Sequence, residues 1–169
     1  DDGNGFPTDT NIITSNGSST ASTFGQTYTF ASIFPPILTS SNPSLAQLNV
    51  DPAQSTIALT FSVPVWSLDG TIRLYDQTAG TFVTCSISGA NGAYAGGTLA
   101  NLRNPIVFNI PPLALPLIQD HVYYVTVPFG NLAALTGIMD ENNNVFQGFS
   151  DPGTLYFKTA KPAPPVLLN

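Results

Sequence analysis

The chain has 169 residues, enough for one domain with a proper core and hardly enough for two. A net charge of −6, with four Lys and Arg in all, excludes the basic footprint of a nucleic-acid binder and the polybasic handle of an anionic-membrane binder. Charged residues make up only 8%, far below the roughly one quarter usual in soluble domains, and no apolar run reaches the ~20 residues of a membrane-spanning helix. Ser, Thr, Asn and Gln carry the surface instead, a composition that goes with extracellular and often glycosylated proteins.

In chain order, "DDGNGF" is a turn running into a strand. The Ser/Thr-rich stretch that follows holds Asn16 in "NGS", the one N-glycosylation sequon; Asn42 precedes a proline and fails. "QTYTFAS" is the first strand, with Thr27, Tyr28, Thr29 and Phe30 as a segment able to pair with another sheet. "STIALTFS" alternates, placing Ile57, Leu59 and Phe61 on one face. "GTIRLYD" pairs Ile72 with Leu74 and sends Arg73 outward. In "TFVTCSI", Val83, Cys85 and Ile87 share a face, so the single cysteine is a buried, inert residue and no intrachain disulfide is possible. Residues 88–104, rich in Gly, Ala and Asn, predict a long mobile connection. "PIVFNI" resumes the strands, and the three prolines of "PPLALPLIQD" rule out a helix and predict a loop crossing between two sheets. "HVYYVTV" and "TLYFKTA" complete the set. No helical period of useful length occurs. Six or seven short strands at turn-punctuated spacing predict an all-β, antiparallel immunoglobulin-like β-sandwich of about seven strands, with an extra N-terminal strand segment. Tyr123, after the Leu113/Leu115 loop, is either the corner tyrosine of such a sandwich or simply a core aromatic.

The start of the chain resembles its end. Asp1, Gly3, Asn4 and Phe6 of "DDGNGF" fall on Glu141, Asn143, Asn144 and Phe146, and Phe30, Ser32 and Pro35–Pro36 fall on Phe157, Thr159 and Pro164–Pro165. Two ordered anchors define an internal repeat of roughly 130 residues. Residues 1–34 are then the tail of a preceding repeat or a donated strand segment, 35–160 a whole domain, and 161–169 a Pro-rich linker or the start of the next repeat. The Pro35–Pro36 start, "NPSLAQLNVDPAQSTIALTFSVPV", "YVTV" after Tyr123, "DENNNVFQG" and the closing "FKT" together resemble the bacterial Ig-like domain first described in S-layer proteins and found in tandem on surface and adhesion proteins. Asn143 replaces the family's glycine, and the loops at 88–104 and 128–138 are longer than usual. The resemblance implies an Ig-like sandwich outside the cell.

Chemistry-bearing residues are sparse. Asp140, Glu141, Asn142 and Asn144 form an oxygen-rich loop with two readings. It is a calcium site, although it lacks the Asp-x-Asp-x-Asp rhythm and distal Glu of an EF-hand, or it is a turn capped by its own Asx side chains. His121, the one histidine, stands beside Asp120; adjacent strand residues point to opposite faces, and no nucleophile elbow is present, so no catalytic triad follows. Neither a zinc set, a phosphate loop nor a glycosidase carboxylate pair is visible, and the expectation is a protein that is not an enzyme. Trp66, if exposed, would stack on a sugar ring; if buried, it fills the sandwich end.

A 34-residue piece of sandwich cannot bury its own core. It belongs either to a longer tandem array or to a subunit that donates its strand to a neighbour, and head-to-tail donation builds a filament. The expected function is therefore a non-catalytic structural module of an extracellular surface layer, appendage, filament or adhesin, self-associating or joined to neighbouring Ig-like repeats. The alternative is a carbohydrate-binding module using the long loops with Trp66 and Tyr94 as ligand-binding residues and glycans as partners.

Overall fold

The structure is a computed structural model. It describes the backbone of residues 19–23 and 26–30 and residues 34–164 in full. Asn16 lies outside the described residues. The chain divides between Phe34 and Pro35 into two compact units. In the first, β1 (Ser19–Thr23) and β2 (Gln26–Phe30) form an antiparallel hairpin of their own.

The second unit is all-β. Its main sheet has eight strands in the order β3 (Leu38–Asn42), β5 (Thr56–Phe61), β9 (Ile106–Asn109), β8 (Thr81–Ile87), β7 (Thr71–Asp76), β10 (Val122–Thr126), β12 (Tyr156–Thr159) and β4 (Gln47–Val50). A pair of short strands, β6 (Val65–Ser67) and β11 (Ile138–Asp140), forms a separate ladder that adds Val65 and Ile138 to the core.

Chain connectivity forces this sheet to curl. Seven spacings of ~4.8 Å would hold the edge strands of a flat sheet about 34 Å apart. Yet the two edges, β3 and β4, are consecutive and are joined by residues 43–46 alone, a link that reaches at most about 18 Å. The sheet therefore folds over on itself and encloses its apolar face. Alternation supplies that face: Ile57, Leu59 and Phe61 from β5, Ile72 and Leu74 from β7, Ile106 and Phe108 from β9, and Tyr123 and Val125 from β10 are all buried. Cys85 of β8 joins them with no exposure, and burial pushes its thiol up to about 12.

Three sequence-based expectations need correction. The pairing is not wholly antiparallel, because β4 runs parallel to β12. Six antiparallel steps from β3 to β12 return the sheet to the starting direction, and the chain passes from β3 to β4 without reversing. The strands also outnumber the seven expected, because β3, β4, β6 and β11 add short ladders. Residues 88–104 are tied down rather than loose. Val65 and Arg103 exchange backbone hydrogen bonds, the Ser67 and Tyr94 amides bond to Gly92 O and Ser67 O, and the Arg103 guanidinium bonds to the carbonyls of Ala100 and Leu102.

The proline-rich crossing buries Leu117, whose amide donates to Pro52 O. It ends where the Ile118 amide donates to the Tyr123 hydroxyl at 2.9 Å. Tyr123 is thus both a core aromatic, 5% exposed, and the anchor of the preceding loop.

Candidate functional site

The feature most open to a partner is an edge. β3 pairs with β5 on one side, and its other side is unpaired among the described residues. The strand, "LTSSN", carries none of the charges that normally blunt an exposed edge. Beside it lies a groove of about 720 Å³, with Phe146, Phe149 and Leu155 in its lining. Ile37 and Leu45, at the two ends of β3, line it as well and are 61% and 55% exposed. An uncharged strand edge next to apolar side chains is the surface an added strand needs: the backbone supplies hydrogen bonds, and alternate side chains enter the groove.

The segment foreseen as a strand-pairing element, Thr27 to Phe30, is held in β2, where Thr27, Tyr28, Thr29 and Phe30 stand opposite Ser22, Ala21, Thr20 and Ser19. Its backbone is extended and paired along one side by β1.

The oxygen-rich loop closes on itself. Asp140 is buried, and its Oδ1 accepts from the amides of Asn142 and Asn144, both at 2.9 Å, while its Oδ2 accepts from Asn144 Nδ2 at 2.9 Å. Asn143 takes the left-handed backbone, φ 64°, that the turn requires. Both carboxylate oxygens of Asp140 are engaged by the loop's own donors, and among the described residues no three His, Cys, Asp or Glu side chains converge on one point. Glu141 is exposed.

Trp66 is buried at 2% exposure in β6, edge-on to Tyr94 with ring centroids 5.5 Å apart. Its ring faces are covered, so Trp66 has none to offer a sugar; Tyr94 is half-buried. The indole N–H has no hydrogen-bond partner among the described residues.

Sequence reasoning missed one polar network. Asp76 ends β7 on the same face as Ile72 and Leu74 and is 6% exposed. Its Oδ2 lies 2.8 Å from His121 Nδ1, and its Oδ1 accepts from the Ala79 amide at 2.9 Å. Burial pushes the Asp76 carboxyl up, but hydrogen bonds from His121, the Ala79 amide and Tyr123 outweigh it and hold the group below its ordinary value. Burial first, and the Asp76 charge with it, pushes the Tyr123 hydroxyl up to about 12, against the opposing Ile118 amide. Thr159 completes the cluster by donating to Ile118 O at 2.6 Å and accepting from the His121 amide at 3.1 Å. His121 therefore faces Asp76, across from β7, and not its sequence neighbour Asp120, which is occupied by Lys158 at 2.7 Å. The signal was present: Asp76 is the carboxylate that alternation places on the apolar side of β7. The network ties the proline-rich crossing to β7 and β12.

No helix among the described residues is long and apolar enough to cross a membrane. No protein-family model, no curated protein and no solved structure matches this chain.

Proposed function

We propose that this chain is a non-catalytic structural module of an extracellular surface layer, appendage, filament or adhesin, acting by strand pairing and head-to-tail association. The observation that carries this reading is the open, uncharged edge of β3 with the apolar groove beside it. A strand from another copy, or from a neighbouring repeat, completes the edge and covers Ile37 and Leu45. Burying each such side chain contributes about 1.5–3 kcal/mol before ordering costs. The donor is the segment of Thr27 to Phe30: a two-stranded hairpin is marginal in water by itself, and β2 gains a third strand and an apolar cover by pairing onward.

In this reading the second unit is an Ig-like sandwich of the S-layer type. Strand order is in keeping with it: the continuous sheet narrows to a two-pair ladder between β9 and β8, where it would divide into β3, β5 and β9 on one side and β8, β7, β10, β12 and β4 on the other. The hydrogen bond from the Ile118 amide to the Tyr123 hydroxyl supports it too, since Ig-like sandwiches anchor a corner tyrosine in this way. Donor and acceptor lie on different parts of one chain, so each copy both gives and receives, and such an interface grows into an open filament wherever its rotation does not close a ring.

Sedimentation velocity over a wide concentration range tests the reading. Species growing progressively beyond a dimer are expected, and their loss on removal of residues 1–34. A monomer at every concentration, or a closed dimer, overturns it.

A further inference from the structure

Away from the β3 edge, the outer face of the sheet carries an ordered array that strand pairing does not use. Cross-strand register builds it in rows. In one row Phe82 of β8, Tyr75 of β7, Tyr124 of β10 and Tyr156 of β12 stand side by side. In the next, Arg73 of β7 stands between Thr84 of β8 and Thr126 of β10. The rings of Tyr75 and Tyr124 are stacked, 4.8 Å apart and 6° from parallel, so the aromatic row is a rigid wall. A groove of about 550 Å³ takes in Tyr75 and Tyr124 of the first row and the whole of the second, with the segments around Pro128 and Phe149 also in its lining. The one carboxylate lining it, Asp69, accepts from the amide and hydroxyl of Thr71.

Arg73 is the odd member. The other arginine, Arg103, is consumed by backbone carbonyls, Lys158 is paired with Asp120, and Lys161 stands within reach of the same carboxylate's charge. Arg73 is exposed and makes no hydrogen bond or ion pair among the described residues; its guanidinium lies 5.2 Å over the Phe82 ring. That contact is with a ring and engages no N–H···O bond, so the guanidinium donors remain for a planar, two-oxygen acceptor. The hydroxyls of Thr84 and Thr126 on either side also have no partner among the described residues. A cation with free donor edges, flanked by threonine hydroxyls and walled by tyrosines, fits a ligand that carries both a carboxylate and many hydroxyls.

We propose that this groove binds a carboxylate-bearing saccharide, with Arg73 holding the carboxylate, Thr84 and Thr126 bonding ring hydroxyls, and the ring edges and hydroxyls of Tyr75 and Tyr124, which stack on each other, flanking the sugar. The site lies on the sheet face and does not depend on the β3 edge, so its failure would leave self-association untouched.

Calorimetric titration of the full chain with tetragalacturonate, neutral galactotetraose and a sulfated tetrasaccharide tests the proposal. The uronate is expected to bind at least about ten-fold more tightly than the neutral sugar, with affinity falling as salt rises. Arg73→Gln is expected to remove that preference and Thr126→Val to weaken binding by a smaller factor, both at unchanged melting temperature, whereas Tyr94→Ala leaves binding intact. Absence of binding, equal affinity for acidic and neutral sugars, tighter binding of the sulfated probe, or an Arg73→Gln variant that binds like the parent would each overturn it.

Discussion

Asp76 is the residue on which the second unit depends out of proportion to its size. A carboxylate on the core side of a strand is tolerated because three donors meet it, and one of them, His121, arrives from the far end of the proline-rich crossing. Removing its charge while keeping its shape leaves those donors short of an acceptor; Asp76→Asn is expected to cost about 2 kcal/mol in urea unfolding at neutral pH. The sign of the pH effect follows from the lowered carboxyl. The folded state binds fewer protons here than the unfolded state. Its stabilisation is therefore complete above the ordinary carboxyl range and is lost as pH falls through the lowered folded value. Melting temperature should fall from about pH 5 to about pH 3, and Asp76→Asn should flatten that fall. Parallel curves for parent and variant would mean that Asp76 gains nothing from its partners.

At the scale of elements, the legible strands are those with one wet and one dry face. β5, β7, β8, β9 and β10 show period-two alternation because each lies in the curled sheet with its core side buried. β6 and β11 are buried at all three positions, so no alternation exists to be seen. β3 and β4 are edge strands, polar and mostly exposed, and look like loop. For the same reason the β3 groove was invisible beforehand: its walls come from residues 37–45 and 146–155, which only the curl brings together. Arg73 was read as outward-facing, but its threonine neighbours depend on cross-strand register, which sequence alone does not supply. The loop at 128–138 gives the element-scale prediction. Gly137 sits at φ 79° with its missing Cβ only 2.6 Å from Gly130 Cα, whereas Gly70 has a similar φ of 70° and open space around it. Gly70→Ala should therefore cost only backbone strain, about 1 kcal/mol. Gly137→Ala adds a backbone clash and should cost about 3 kcal/mol or more by chemical denaturation. Equal costs would mean that the loop yields to the added methyl.

For the second unit as a whole, the parallel ladder between β4 and β12 has a mechanical meaning. β4 is the second strand of the unit, reached once the edge strand β3 has peeled from β5, and β12 is its last. Tension applied through the two ends draws parallel neighbours in opposite directions along their length. Their hydrogen bonds are then loaded together and must fail together, unlike a hairpin pulled from its open end, where bonds break one at a time. Force spectroscopy on the chain pulled through residues 35 and 164 should show a small release of β3 followed by one high rupture event, and pulling through Thr78 and Ala160 instead should open the β7–β10–β12 side at lower force. A module built this way bears strain along its own axis, and its resistance is greatest in the direction a head-to-tail chain would pull.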